Sequence, residues 1–239
     1  MDRITVLFKR FQPAGLLSVA AWTLLAASSP AVAATVVTYT DVAAFQSAIQ
    51  PGYYLENFDS ITPGQSLDPS GNNIVPLSFS SLDGAYSYTA DAPGDSLFVV
   101  QDPNNLSAQS LSTNSPGFDM IITFASGIRA VGGNFFATDI NGYVSSGLVT
   151  ITLGDGTTQT LTDPLGTAFG GFTSIGSDIS SLTVSAAPDP LQDPLLTPVY
   201  GTVDNFYTGT TVTPEPQSVF LLLGGLAAGV LQLRRRRKA

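Results

Sequence analysis

The chain has no cysteine and no histidine. The first absence excludes disulfides, thiolate nucleophiles and iron–sulfur ligation. The second excludes a Ser-His-Asp triad, His-ligated zinc and any imidazole base. Lysine is missing between Ala34 and Thr213, so that stretch has neither Schiff-base chemistry nor a P-loop. Tryptophan occurs once, at Trp22. Positive charge is equally scarce in the middle of the chain. There Arg129 is the one basic residue against sixteen acids, a net −15, whereas the formal charge of the whole chain is −9. Such a stretch repels nucleic acid and anionic lipid, because both need Lys and Arg to neutralise phosphate.

The other basic residues gather at the two ends. Residues 1–33 read as a signal peptide. Lys9 and Arg10 supply a positive n-region, and Leu16 to Ala27 is an apolar run of h-region length, too short to span a bilayer. Ser28, Ser29 and Pro30 break that run, and Ala31-Val32-Ala33 offers a small-x-small site for signal peptidase before Ala34.

Residues 213–239 form a second address. Pro214-Glu215-Pro216 precedes the apolar segment Ser218 to Leu233, which ends in Arg234, Arg235, Arg236, Arg237 and Lys238. As a helix the apolar segment would reach roughly 24 Å against a hydrocarbon core of about 30 Å. Gly224, Gly225 and Gly229 weaken its helix propensity, and snorkelling arginines extend its reach. The basic cluster acts as a cytoplasmic stop-transfer signal, which leaves Ala34 to Thr213 on the far side of the inner membrane.

Motif, short apolar helix and arginine run, in this order at the C-terminus, resemble the PEP-CTERM sorting signal of exported Gram-negative proteins. The resemblance implies recognition by an exosortase, a membrane-embedded transpeptidase-like enzyme. It also implies removal of the tail and association with exopolysaccharide. A Pro-flanked glutamate keeps such a site extended. A plain membrane anchor is the alternative. The expected precursor is membrane-anchored, and its mature form is at the cell surface or extracellular.

The middle reads as an all-β domain over residues 34–207, with 208–212 as a linker. Asp41 to Gln50 is the one expected helix, with Asp41 as N-cap and Pro51-Gly52 as stop. Ala44, Phe45, Ala48 and Ile49 share one face of it. Short β-branched or aromatic runs then alternate with Gly, Pro, Asn and Asp. Expected strands are Thr35–Tyr39, Tyr53–Phe58, Ile74–Phe79, Ala85–Thr89, Ser96–Val100, Asp119–Ala125, Ala130–Thr138, Leu148–Leu153, Thr157–Leu161, Ser180–Ser185 and Pro198–Tyr207. The clearest is a hairpin in which Val149, Ile151 and Leu153 alternate with threonines before Gly154-Asp155-Gly156. Ser and Thr at outward positions suit a sheet with one wet face. The expectation is an antiparallel β-sandwich, jelly-roll-like, with one short N-terminal helix and a C-terminal transmembrane helix. LENFDS, AVGGNFFATD, LGDGTTQTL and VDNFYTG resemble the exported β-domains that carry this tail, a likeness that implies a sandwich more than an activity.

Few side chains point to chemistry. Glu56 is the one glutamate of the middle stretch, and Leu55-Glu56-Asn57-Phe58-Asp59 echoes Val203-Asp204-Asn205-Phe206. Jelly-roll carbohydrate-binding domains hold a structural calcium between their first and last strands. By that resemblance Glu56 and Asp204, with Asp59, would ligate Ca²⁺, an ion that takes six to eight oxygens; solvated strand-end acids are the alternative. Asp139-Ile140-Asn141-Gly142 reads as an Asx turn, Asp155 as a hairpin tip and Asn105-Leu106-Ser107 as a sequon. Tyr53, Tyr54, Tyr86, Tyr88, Tyr143, Tyr200 and Tyr207 are candidates for stacking on sugar or for packing. Arg129 is expected in a surface or strand-end role. With carboxylates and hydroxyls alone, a glycosidase pair has no specified second acid, and the chain is expected not to be an enzyme. The sequence therefore points to a non-catalytic surface or matrix protein associated with exopolysaccharide. The alternatives are a calcium-dependent carbohydrate-binding module and, third, a glycoside-active enzyme. No cofactor is expected beyond that calcium ion, and no nucleic-acid partner.

Overall fold

The computed structural model describes residues 34–61, 76–102, 105–162, 166–193, 195 and 197–212. The expected signal peptide, the expected sorting motif with its transmembrane helix, and the arginine cluster lie outside these residues. In chain order the elements are β1 (Thr35–Tyr39), α1 (Val42–Ala48), β2 (Tyr54–Glu56), β3 (Leu77–Ser80), β4 (Ser87–Asp91), β5 (Leu97–Asp102), β6 (Asn105–Thr113) and β7 (Met120–Phe124). There follow β8 (Ala130–Thr138), β9 (Gly147–Leu153), β10 (Thr158–Thr162), β11 (Phe169–Ile175), β12 (Ser181–Pro188) and β13 (Tyr200–Gly209).

The described strands make two antiparallel sheets. One has the order β1-β11-β8-β13-β6-β5, with β2 also paired to β13; the other runs β10-β9-β12-β7-β4-β3. Their inner faces enclose the main core, where Leu111, Phe135, Phe172, Val203 and Phe206 of the first sheet meet Ile122, Ile151, Leu182 and Val184 of the second. The expected alternation is realised in the second sheet. In β9, Val149, Ile151 and Leu153 are buried, while Thr150 and Thr152 look outward beside Thr160 and Thr158 of β10. Further across the same outer face, Ser78, Thr89, Thr123 and Ser181 stand in one registered row.

Helix α1 covers part of the first sheet's outer face. Asp41 caps it by accepting the Ala44 N–H at 2.7 Å. The helix stops at Ala48 rather than Gln50, because Ile49 turns extended and bridges Thr211. Phe45 and Ile49 pack on Ala130, Phe169 and Tyr207 in a second apolar cluster. Residues 208–212, read as a linker, instead continue the fold. Thr208 and Gly209 belong to β13, and Thr210 O accepts the Gln50 N–H at 2.8 Å.

Two strands escaped the sequence reading, β6 and β11. β6 is NLSAQSLST, and its polar alternation carries few β-branched residues. β11 is FGGFTSI, and its glycine pair reads as a turn although it forms a fully paired strand between β1 and β8. No helix among the described residues is long and apolar enough to cross a membrane.

Candidate functional site

A cleft of about 580 Å³ opens on the outer face of the first sheet, beside edge strand β5. Its wall and floor come from three strands in register. Phe98 of β5 stands opposite Ser112 of β6, and Ser112 stands opposite Thr202 of β13. Tyr200 lies two residues from Thr202 on the same face of β13. The loop after β8 closes the other side. It crosses β13 and β6 so closely that a Cβ on Gly142 (φ +83°) would lie 2.7 Å from Val100 Cγ1 of β5.

The floor is tied together by hydroxyls. Thr138 and Thr202 share a hydrogen bond of 3.0 Å, and Thr202 donates to Ser112 Oγ at 3.0 Å. All three residues are buried. They join β8, β13 and β6 and hold the floor rigid. The rim presents amides, from Gln101, Asn114 and Asn141. Asp139 is the one acid in the lining, and its carboxylate is already engaged. Its Oδ1 accepts the N–H groups of Asn141 (2.8 Å) and Tyr143 (3.0 Å), and Oδ2 accepts Asn141 Nδ2 at 3.5 Å. This is the expected Asx turn, and it shapes one wall of the cleft.

The tyrosines divide by environment. Tyr53 and Tyr207 pack on each other with ring centroids 5.4 Å apart, and Tyr88 lies stacked on Phe79 at 4.9 Å. Tyr54 pairs with Tyr88 at 6.3 Å. Tyr86 packs half-buried against the main core. Tyr143 is exposed on the loop after β8. Tyr200 lines the cleft. Neither Tyr200 nor Phe98 takes part in a ring pair among the described residues, so their faces are not spent on other aromatic rings.

The acids read as calcium ligands occupy different strand registers. Glu56 lies opposite Phe206 in the pairing of β2 with β13, whereas Asp204 lies opposite Asn134 of β8. Glu56 accepts hydrogen bonds from the Tyr54 hydroxyl and, at 2.8 Å, from Phe58 N–H. Burial and that carboxylate together push the Tyr54 phenol well above its usual range. Asp59 accepts from Gln109 N–H (3.1 Å) and Asn57 Nδ2 (2.7 Å). Asp204 Oδ1 and Oδ2 accept from the N–H and amide of Asn205 at 2.6 and 3.0 Å. The three carboxylates thus face N–H and O–H donors, and no group of three or more acids among the described residues is placed to hold a metal ion. The Asp59 charge does reach Asp204. Burial, with a contribution from the Asp59 charge, pushes Asp204 up to about 6 despite the Asn205 N–H. Next to Asp204 the ladder of β13 is bulged, with Asn205 at φ +47°.

Arg129 pairs with Asp178 at 3.1 Å, both side chains more than a third exposed. The Gly127 N–H and this guanidinium hold Asp178 below the usual carboxylate range. Asp155 caps its hairpin by accepting the Thr157 N–H at 2.9 Å. The sequence reading missed Phe98, Ser112 and Asn114 as site residues. The signal available was Ser112, a serine beside Leu111 in a strand that the composition disguised. Comparison with protein-family models, curated proteins and solved structures finds no match for this chain.

Proposed function

We propose that the chain is the precursor of an exported, non-catalytic cell-surface or matrix protein, processed by signal peptidase and an exosortase and associated with exopolysaccharide. The observation that carries this reading is the arrangement along the chain. A β-fold running from Thr35 to a closing bridge at Thr211 sits between the two basic, apolar ends. The order of the last eight strands supports the finer, jelly-roll description. They alternate so that β6, β8, β11 and β13 enter one sheet and β7, β9, β10 and β12 the other, with β13 returning between β6 and β8. The cleft fits a binding role, since its lining offers aromatic faces, amides and hydroxyls and its one carboxylate is already engaged. The test is replacement of Pro214-Glu215-Pro216 by alanines in an exosortase-bearing Gram-negative host. The precursor should accumulate unprocessed in the inner membrane; unchanged maturation and location would reduce the tail to a plain anchor.

A calcium-dependent carbohydrate-binding module is the second reading, and the nearness of the Asp59 charge to Asp204 favours it. A Ca²⁺ ion there would have to turn the Asn57 and Asn205 amides away and recruit further oxygens. Under this reading thermal melting moves up in millimolar Ca²⁺ relative to chelator. An unchanged melting temperature rules it out.

A further inference from the structure

We infer that the cleft between β5 and the loop after β8 binds a neutral hexopyranose oligosaccharide of at least two sugar units, with Phe98 and Tyr200 as its two stacking platforms. This inference rests on the exopolysaccharide reading and specifies the ligand class at the cleft beside β5.

The argument for sugar is chemical. A pyranose ring presents apolar C–H faces and a rim of hydroxyls. Its site therefore needs uncommitted aromatic faces flanked by groups that both donate and accept hydrogen bonds. Phe98 and Tyr200 are half-buried, line the cleft and belong to none of the ring clusters that occupy Phe45, Phe79, Tyr88, Phe206 and Tyr207. Asn114 and Asn141 supply amides at the rim.

The argument for neutrality is electrostatic. The lining contains no cation, and its one acid is already engaged by loop N–H groups. The surrounding stretch carries sixteen acids against Arg129. A uronic-acid, sulfated or phosphorylated glycan would enter a repulsive field with no partner for its charge.

The argument for length is geometric. Phe98 lies two strands from β13 in the row through Ser112 and Thr202, and Tyr200 lies one further same-face step along β13. Strand spacing and rise place their Cα atoms about 12 Å apart. Strand side chains stand roughly perpendicular to the sheet, so the two rings keep a similar spacing, which consecutive units of a chain match better than one pyranose ring. Because β5 is an edge strand among the described residues, a chain can leave the cleft past it without meeting another described strand.

The test uses the full chain, purified in a detergent without a sugar headgroup. Isothermal titration is run with cellohexaose, laminarihexaose and mannohexaose, with glucose and mannose as monomers and hexagalacturonate as the charged control. At least one neutral hexaose should saturate within about 10 mM, with no saturation by the monomers or by hexagalacturonate. Phe98→Ala and Tyr200→Ala should each weaken that hexaose about tenfold, through loss of apolar contact. Phe98→Leu and Tyr200→Leu keep side-chain bulk without the ring, so they should weaken binding while leaving the melting temperature near that of the parent protein. The inference is overturned if no neutral hexaose binds, if a monomer binds as tightly as its hexaose, if hexagalacturonate binds equally well, or if the leucine variants bind like the parent. None of these measurements reads the processing of the tail. Such a failure therefore sinks the cleft and leaves the sorting proposal standing, whereas normal maturation of the tail variant sinks the sorting proposal and leaves the cleft.

Discussion

Gly133 of β8 stands directly opposite Gly170 of β11, and neither position has ordinary room for a Cβ on the core side. A Cβ on Gly170 would lie 2.7 Å from Ile151 Cδ1 and 2.9 Å from Leu161 Cδ1, both in the opposing sheet. The glycine pair thus lets the two sheets close over this part of the core. Both atoms are terminal methyls of flexible side chains, so Gly170→Ala should cost about 1 kcal/mol, the low end of overpacking. Urea unfolding will read this as a lower midpoint at constant slope; an unchanged midpoint would show that the opposing side chains relax freely.

That pair also explains what was legible in the sequence. Strands such as β9 and β12 bury one face against apolar partners and wet the other with Ser and Thr, so their period-two pattern is written in the residues. In β11 the packing is supplied by larger side chains from across the interface, and the strand's own residues shrink to glycine. The local signal therefore resembles a turn. The cleft was hidden for another reason. Phe98, Ser112 and Tyr200 come together through the order β5-β6-β13, a long-range pairing that no local pattern encodes. The Asx turn at Asp139 was readable, because its hydrogen bonds span only four residues.

Tyr88 offers a polar test of the core. Its ring contacts Phe79, Phe124 and Phe206, but its buried hydroxyl has no hydrogen-bond partner among the described residues. Burial accordingly holds the phenol well above its usual pKa. Tyr88→Phe keeps the ring and removes the orphaned oxygen, so it should raise stability by about 1 kcal/mol. A loss of stability in denaturant melts would mean that the hydroxyl is satisfied in solution.

Asp204 sets a pH dependence of definite sign. Its folded pKa of about 6 lies above its ordinary 3.8, so the folded protein holds this proton more tightly than the unfolded chain. Its favourable contribution is fully present below about 4 and is lost as pH rises through about 6. Asp204→Asn should therefore melt higher than the parent at pH 7.5, with the advantage shrinking to nothing near pH 4. An advantage that stays constant across that range would separate the effect from titration.

The central claim is that residues 34–212 are delivered as a processed, exported domain. Intact-mass and terminal-peptide mass spectrometry of the protein recovered from the surface and medium of an exosortase-bearing host tests it most directly. The account predicts an N-terminus at Ala34 and loss of the apolar segment and the Arg234 to Lys238 cluster, with any added mass at the new C-terminus or on a glycan. Recovery of the unbroken 239-residue chain, or its confinement to the cytoplasm, would contradict the account.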